Sequence, residues 1–477
     1  VREREKKMSK TILINPVTRI EGHAKITIHL DDCGEVENAF FHVTQLRGFE
    51  KFAEGRPFAE MPSLMSRICG ICPVSHLIAS AKACDMLMAI TIPPVAAQLR
   101  RVINLAQLAQ SHALSFFYLS SPDFVFGMDG DPKLRNIVGV AQTMPELARD
   151  GIRLRKIGQT IIELLGDKRV HPGWVVAGGV NKPLAKTHRE EIRAMLPDAI
   201  TIAEKNLQWF IEQMPRFSEE IAAFAKVESM YMSIQGKNGE LETYDGSLCL
   251  SDDSGNAVVS GLASEDYSSI IAEEITPNSY LKSPYYKPQG YPKGMYRVGP
   301  LARLHNAQSC GTPLADKALL QFKQLNSRSS FYYHYARLIE ILYAFEKIDQ
   351  ILADENILDD HVRAHASPNA YEGFGVAEAP RGTLMHHYKI DKNGLITYAD
   401  LVIATGHNNL AMNSEITETA RFFIKSGKFT EGILNRVEAA IRAYDPCLSC
   451  STHAFGQMPL YIELRSSAGA LLDEIRR

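Results

Sequence analysis

Four cysteines, in two Cys-x-x-Cys pairs near opposite ends of the chain, are the residues whose type and spacing point most directly to chemistry. The first pair lies in Arg67-Ile68-Cys69-Gly70-Ile71-Cys72-Pro73-Val74-Ser75-His76 and the second in Asp445-Pro446-Cys447-Leu448-Ser449-Cys450-Ser451-Thr452-His453. Each pair is followed by a histidine. This spacing lets two thiolates face one ion, so two pairs can supply a four-sulfur site even when far apart in sequence. A structural zinc site is the commonest use of such pairs, but zinc ribbons bring theirs together within about 20 residues, whereas here nearly the whole chain intervenes. A dithiol redox switch needs only one pair, and no thioredoxin-like βαβ pattern surrounds either. On spacing alone, a structural metal site and a catalytic soft-metal site both stand. Cys33, Cys84, Cys249 and Cys310 are isolated and read as small hydrophobes with inert thiols.

The elements that must bring the pairs together are mostly helices. Pro93-Pro94 opens a stretch to Leu119 with apolar residues at helical spacing, and similar runs cover about 192–226, 314–353 and 414–443. Near the N-terminus Ile26, Ile28 and Leu30 alternate with polar neighbours, Asp31-Asp32-Cys33-Gly34 supplies a turn, and Val36 to Val43 resumes an extended pattern, which predicts a β-hairpin. Between about 229 and 300 the texture changes to Gly, Ser, Asp, Tyr and Pro with short strand-like pieces, the pattern of a β-rich insertion. The expected fold is α+β and predominantly helical, a central bundle of long helices with peripheral β structure. No internal repeat or low-complexity tract interrupts it.

The chain of 477 residues is 45% hydrophobic and 22% charged, enough to build a large core without disulfide staples. A formal charge of -3 gives no basic field for nucleic acid. No apolar run approaches the ~20 residues that cross a bilayer, and the charged start lacks the apolar stretch of a secretion signal, so a cytoplasmic protein is expected.

Together, Arg-x-Cys-Gly-x-Cys-x-x-x-His and Asp-Pro-Cys-x-x-Cys-x-x-His resemble the paired signatures of nickel-iron hydrogenase large subunits. The resemblance extends to Arg19-Ile20-Glu21-Gly22-His23, Leu46-Arg47-Gly48-Phe49-Glu50, Ala379-Pro380-Arg381-Gly382 and Leu401-Val402-Ile403-Ala404-Thr405, an ordered set of six motifs over essentially the full length. It implies that Cys69 and Cys447 are terminal nickel ligands, that Cys72 and Cys450 bridge nickel to iron, and that the iron carries carbon monoxide and cyanide. Heterolytic cleavage of dihydrogen (H2) needs a metal and a nearby base for the proton; the resemblance makes Cys447 and Arg381 the candidates and Glu21 the next proton carrier. Pro380 is then expected to line the pocket, Thr405 to donate a second hydrogen bond, and His76 to hydrogen-bond a bridging sulfur. Glu50, the main-chain carbonyl of Leu401 and His453 resemble the ligands of a magnesium ion. The remaining histidines, including the His386-His387 pair, read as ordinary structural ones.

The resemblance also divides the chain into a catalytic domain over 1–453, with the N-terminal hairpin region in 1–48, and a C-terminal maturation extension over 454–477. Such an extension is removed by a dedicated protease after nickel-insertion chaperones have acted. With its paired cysteines committed, the chain has no iron-sulfur motif of its own, so an iron-sulfur small subunit is expected. The wording of the motifs is most similar to the cytoplasmic, bidirectional, NAD-reducing subgroup, in which a flavin- and iron-sulfur-containing diaphorase receives the electrons. No dinucleotide-binding glycine fingerprint follows a strand here. An NADP-linked or other cytoplasmic hydrogenase is the alternative within the class. Outside it stand a non-catalytic complex I-like scaffold, whose kind has lost these cysteines, and a zinc-stabilised interaction protein.

Overall fold

A computed structural model describes residues 10–325, 328–452, 461–465 and 471–476. Its centre is a set of long packed helices, Pro94–Leu114, Pro145–Gly166, Lys186–Gln213 and Tyr333–Ala353, each in contact with at least two of the others. Small residues let the axes approach: a Cβ added at Gly158 would lie 2.9 Å from the Ala106 carbonyl oxygen. The predominantly helical α+β architecture is as the sequence pattern predicts.

The helical boundaries differ in instructive ways. The stretch read as 192–226 begins at Lys186 and ends at Gln213, after which a short 3-10 turn and the Ser218–Ala223 helix follow. The stretch read as 314–353 is two helices, Pro313–Lys323 and Tyr333–Ala353. That read as 414–443 is also two, Asn409–Phe423 and Glu431–Tyr444, separated by a turn at Ser426 and Gly427, both with positive φ. Apolar periodicity carried across each break because the flanking helices bury the same face.

The N-terminal hairpin Ala24–Leu30 and Val36–Val43 forms as expected, and Lys10–Ile14 adds a third antiparallel strand. Its outer edge is covered by a helix: Thr417 Oγ1 accepts the Ala39 N–H at 3.2 Å and Asn413 Oδ1 accepts that of Phe41 at 2.9 Å. The 229–300 region is β-rich, with Tyr296–Arg297, Met230–Gln235, Ser247–Ser251 and Ala257–Leu262 side by side in one sheet and Ile271–Glu274 paired with Ser283–Tyr286.

A further sheet, of three strands, was not foreseen. Glu372–Ala379, Gly382–Ile390 and Ile396–Val402 form an antiparallel meander. One side packs on the Pro73–Leu87 helix; from the other, Phe374, Val376, Met385 and Val402 join Met230, Met232, Ile234 and Leu250 in a second core cluster. Strands covered on both faces lose the period-two alternation that reveals a strand in sequence. Within the proposed extension, Tyr461–Arg465 and Leu471–Arg476 pair antiparallel. Among the described residues no helix is long and apolar enough to cross a membrane.

Candidate metal centre

Both cysteine pairs sit on loops that enter helices. Cys72 immediately precedes the Pro73–Leu87 helix, whose first-turn N–H groups favour negative charge at that sulfur. The loop is held from behind by Gln107 and Gln110, whose Nε2 atoms both donate to the Ile71 carbonyl, at 2.7 and 2.8 Å. On the C-terminal side, the Glu431–Tyr444 helix stops at Asp445, in the left-handed region at φ 53°, and Cys447 leads into the short Leu448–Ser451 helix. Aspartate tolerates this conformation better than most residues, and its carboxyl is then put to use below.

The four thiols meet although nearly four hundred residues separate the pairs. All four sulfurs are buried and lie within 4.8 Å of one another, with Cys69 and Cys447 3.4 Å apart and Cys72 and Cys450 3.7 Å apart. Metal–sulfur bonds of about 2.3 Å place tetrahedral sulfurs roughly 3.8 Å apart, a spacing that these two pairs approach, while Cys447 and Cys450 lie closer, at 2.7 Å, and would part to admit an ion. None of the eight cysteines is in a disulfide. Protonation argues the same way. Hydrogen bonds from Cys447, Cys450 and Cys69, with a further one from His76, pull the Cys72 thiol well below its ordinary range against the effect of burial. Burial pushes Cys447 and Cys450 well above theirs. A bound metal would hold all four sulfurs as thiolates and release their protons.

Of the residues singled out in the sequence, all but His453 lie among the described residues. Arg381 is buried, donates through Nε to the Asp445 carbonyl oxygen at 2.5 Å and through Nη2 to Asp445 Oδ1 at 3.1 Å, and reaches Ser111 Oγ at 3.4 Å. Burial alone would lower its pKa, but Asp445 and the thiols of Cys447, Cys72 and Cys69 raise it well above the ordinary value, so it stays charged. Thr405 Oγ1 accepts the Cys447 N–H at 2.9 Å, and its hydroxyl hydrogen remains a donor. Pro380, Arg381, Thr405 and His76 join Cys72, Cys447 and Cys450 in lining a small cavity, with about 10 Å³ open to the centre of a water-sized sphere. Two larger clefts among the described residues, one bordered by Arg149 and Asp198 and one by Arg101 and Lys347, border none of these cysteines.

Glu21 bridges by its backbone to Cys447, while its carboxylate accepts the Ser449 hydroxyl at 2.5 Å and the Ser449 N–H at 3.1 Å. The adjoining Gly22, at φ 89°, lets the strands close: a Cβ there would sit 2.7 Å from Leu448 Cβ.

Glu50 and Leu401 also meet, through the Leu401 N–H rather than its carbonyl, at 3.0 Å. Glu50 Oε1 is 2.8 Å from Lys282 Nζ, which also contacts Glu273 at 2.9 Å and Asp400 at 3.4 Å. Burial raises the Glu50 carboxyl, opposed by Lys282. Three carboxylates thus converge on the Lys282 ammonium, which offsets part of their charge; among the described residues only the four cysteines form a group placed to hold a metal ion. His453 lies outside the described residues, but Thr452 is fixed by its carbonyl, which accepts the N–H groups of Arg47 and Gly48, each at 3.2 Å.

Sequence reasoning gave no role to Asp445 and Ser449, although both lie in the second cysteine motif, or to Gln107, Gln110 and Lys282, which lie in none. It also read His386 as an ordinary histidine, yet His386 Nε2 lies 3.2 Å from His76 Nδ1. The signal available was that both flank a recognised motif, His76 after the first cysteine pair and His386 after Ala379-Pro380-Arg381-Gly382.

Four buried thiols, three of which share a cavity with a fixed, charged guanidinium, form a site for a soft metal ion. The sequence profile of the nickel-dependent hydrogenases matches residues 47–130 and 242–453, and a HoxL-like profile matches 11–46. The chain is 40% identical, over 98% of its length and 100% of the relative's, to the NAD-reducing hydrogenase HoxS subunit beta of Cupriavidus necator. To its counterpart in the F420-non-reducing hydrogenase vhc of Methanococcus voltae it is 39% identical, over 96% of this chain and 98% of that one. A crystal structure of an NAD+-reducing NiFe-hydrogenase in the H2-reduced state superimposes with a TM-score of 0.90 at 40% identity, covering 93% of this chain and 99% of that one. The NiFeSe hydrogenase of D. vulgaris Hildenborough in its reduced state, at 24% identity and TM-score 0.73 over 94% of this chain and all of that one, shares the fold. The chain belongs to the nickel-dependent hydrogenase family, as a large subunit.

Proposed function

We propose that this chain cleaves dihydrogen reversibly at a nickel–iron pair and passes the electrons, through an iron-sulfur small subunit, then a flavin- and iron-sulfur-containing diaphorase, to NAD. The observation that carries the reading is the buried four-sulfur cluster under the Arg381 guanidinium. Cys69 and Cys447 would hold nickel, and Cys72 and Cys450 would bridge to an iron carrying carbon monoxide and cyanide. When bound, the metal pair supplies the Lewis acid at which dihydrogen is polarised.

The chain's own residues do the rest. Arg381 and Thr405 present donors to the cavity, where Arg381 supplies fixed positive charge. Because that guanidinium is held by Asp445 and kept charged, it orients and stabilises, and the proton falls to Cys447 Sγ. Glu21, bonded to the same loop through Ser449, is placed to carry that proton outward. The buried lining excludes bulk water, which strengthens every charge interaction inside.

Glu50, Leu401 and His453 are the proposed magnesium set, fastening the end of the catalytic domain at 453. The hydrogenase profile ends at the same residue, which supports 454–477 as an extension removed by a maturation protease after chaperone-assisted nickel insertion. The cytoplasm, where NAD turns over, is the proposed compartment. The near-equal likeness to F420-non-reducing hydrogenases favours a second reading, a different electron acceptor with the same site. H2-dependent reduction of NAD against NADP by the purified complex separates the two.

The test of the site is an infrared spectrum of the mature, metal-replete complex where metal-bound carbon monoxide and cyanide absorb. Bands of both kinds are expected. A spectrum with neither, and zinc as the sole metal by elemental analysis, overturns the reading.

A further inference from the structure

His76, His386, Tyr388 and Ser80 form a continuous buried file of polar side chains, and His76 at its end lines the same small cavity as Cys72 and is a hydrogen-bonding neighbour of that sulfur. His76 Nδ1 is 3.2 Å from His386 Nε2, His386 Nδ1 is 2.6 Å from Tyr388 Oη, and Tyr388 Oη is 3.0 Å from Ser80 Oγ. All four are at most 1% exposed. His76 and Ser80 stand one turn apart on the Pro73–Leu87 helix, and His386 and Tyr388 stand two residues apart on the same face of the Gly382–Ile390 strand. Helix and strand thus clasp each other through four hydrogen-bonding groups rather than apolar contacts.

The donor directions in this file are constrained. A neutral imidazole has one N–H and one bare nitrogen, whereas a hydroxyl rotates to donate either way. The Cys72 sulfur, once it is a metal thiolate, can only accept. The His76 nitrogen left for it is Nε2, because Nδ1 is engaged by His386. If Nε2 carries the hydrogen, Nδ1 is bare and His386 must donate from its own Nε2; His386 Nδ1 is then bare and accepts from Tyr388, whose hydroxyl, set to donate to Ser80 Oγ in the structure, turns towards His386 while the Ser80 hydroxyl turns to donate back. Each ring nitrogen of His386 has a partner that this direction satisfies. The opposite direction leaves a bare nitrogen facing a sulfur lone pair, a repulsive contact in a buried site.

We propose that His386 is a positioning residue: with Tyr388 and Ser80 behind it, it holds His76 as the Nε2–H tautomer and so aims a hydrogen bond at the Cys72 sulfur. A hydrogen bond to a metal-bound sulfur withdraws electron density from the metals, and the partner behind the donor sets its strength. The proposal deepens the hydrogenase reading and rests on it for the role of Cys72. His387, the next residue, bonds Tyr267 and Glu372 on the other face and takes no part.

The experiment compares the parent complex with His386→Gln, Tyr388→Phe and, as a control, His387→Gln, at matched nickel and iron content. In the infrared spectrum the carbonyl band is expected to shift by more than its width in His386→Gln, by less but in the same sense in Tyr388→Phe, and not at all in His387→Gln. Unshifted bands in the first two variants overturn the proposal. If His386→Gln takes up no metal, Tyr388→Phe, which lacks only one oxygen atom, decides alone. A second readout needs no metal: nitrogen NMR of 15N-histidine-labelled full-length chain is expected to show His76 as Nε2–H in the parent and as a tautomer mixture in His386→Gln. An Nδ1–H ring in the parent overturns the proposal. A parent complex without carbonyl and cyanide bands would instead overturn the hydrogenase reading, leaving the NMR result to judge the tautomer.

Discussion

Substituting Gly375 by alanine tests how closely the sheet must approach the helix that carries the first cysteine pair. Gly375 lies in the Glu372–Ala379 strand, directly opposite His386 in the antiparallel register. A Cβ placed there would be 1.9 Å from the Ala79 carbonyl oxygen and 2.6 Å from the Ala83 nitrogen, both backbone atoms of the Pro73–Leu87 helix. Real Cβ atoms do not approach below 3.0 Å, so the strand and helix must part by at least about 1.1 Å. Backbone atoms inside a helix cannot swing aside as a side chain would. The cost should fall at the upper end of overpacking substitutions, about 3 kcal/mol, and the 3.2 Å contact between His76 and His386 would be stretched past hydrogen-bonding range. Urea unfolding of the full-length chain reads the first effect, and nickel bound per chain after reconstitution reads the second. Gly173→Ala is the control, because a Cβ there meets nothing within 4 Å. A Gly375→Ala protein with the stability and nickel content of Gly173→Ala would refute the argument that this close approach sets the site.

Arg381→Lys keeps the charge but not the three-way attachment to Asp445 and Ser111; dye-linked H2 uptake should fall about 100-fold at unchanged nickel content, and activity within twofold of the parent would contradict its role. His407 is fully buried and burial depresses its pKa from 6.5 to about 3. It therefore contributes stability that is present above pH 6.5 and lost as pH falls towards 3. Between pH 7.5 and 5 the stability of His407→Gln relative to the parent should rise by about 2 kcal/mol, read by urea unfolding across that range; a constant difference would dismiss the assignment. Gln107 and Gln110 share one acceptor, the Ile71 carbonyl, so each Gln→Met change should be partly covered by the other. The double variant should exceed the sum of the single losses by about 1 kcal/mol, and strict additivity in the same assay would show that the two act separately.

Much of the site was legible in sequence because its chemistry is tied to residue type and local spacing. Two thiolates at i and i+3 can face one ion whatever the fold, so Cys69, Cys72, Cys447 and Cys450 announce a metal by their spacing alone. Proline before a helix and glycine at a left-handed turn are equally local, which is why the Pro94–Leu114 helix and the Ala24–Val43 hairpin were readable. The helix breaks near 323–333 and 423–431 were not, because one continuous apolar face served two helices.

What sequence could not contain is distance between segments. That Asp445 pins Arg381, that Lys282 joins Glu50 to Asp400 and that His386 stands behind His76 are facts about strands and helices more than sixty residues apart in each case. The meander of Glu372–Val402 was hidden for the same physical reason that makes it useful. Covered by a helix on one side and a sheet on the other, its strands bury residues on both faces, and the helix-facing side carries the polar His386 and Tyr388, so apolar–polar alternation vanishes just where the packing is tightest. Residue types fixed which metal chemistry this chain can perform; only the tertiary structure decided which polar groups are brought, dry and within hydrogen-bonding range, to the sulfurs that perform it.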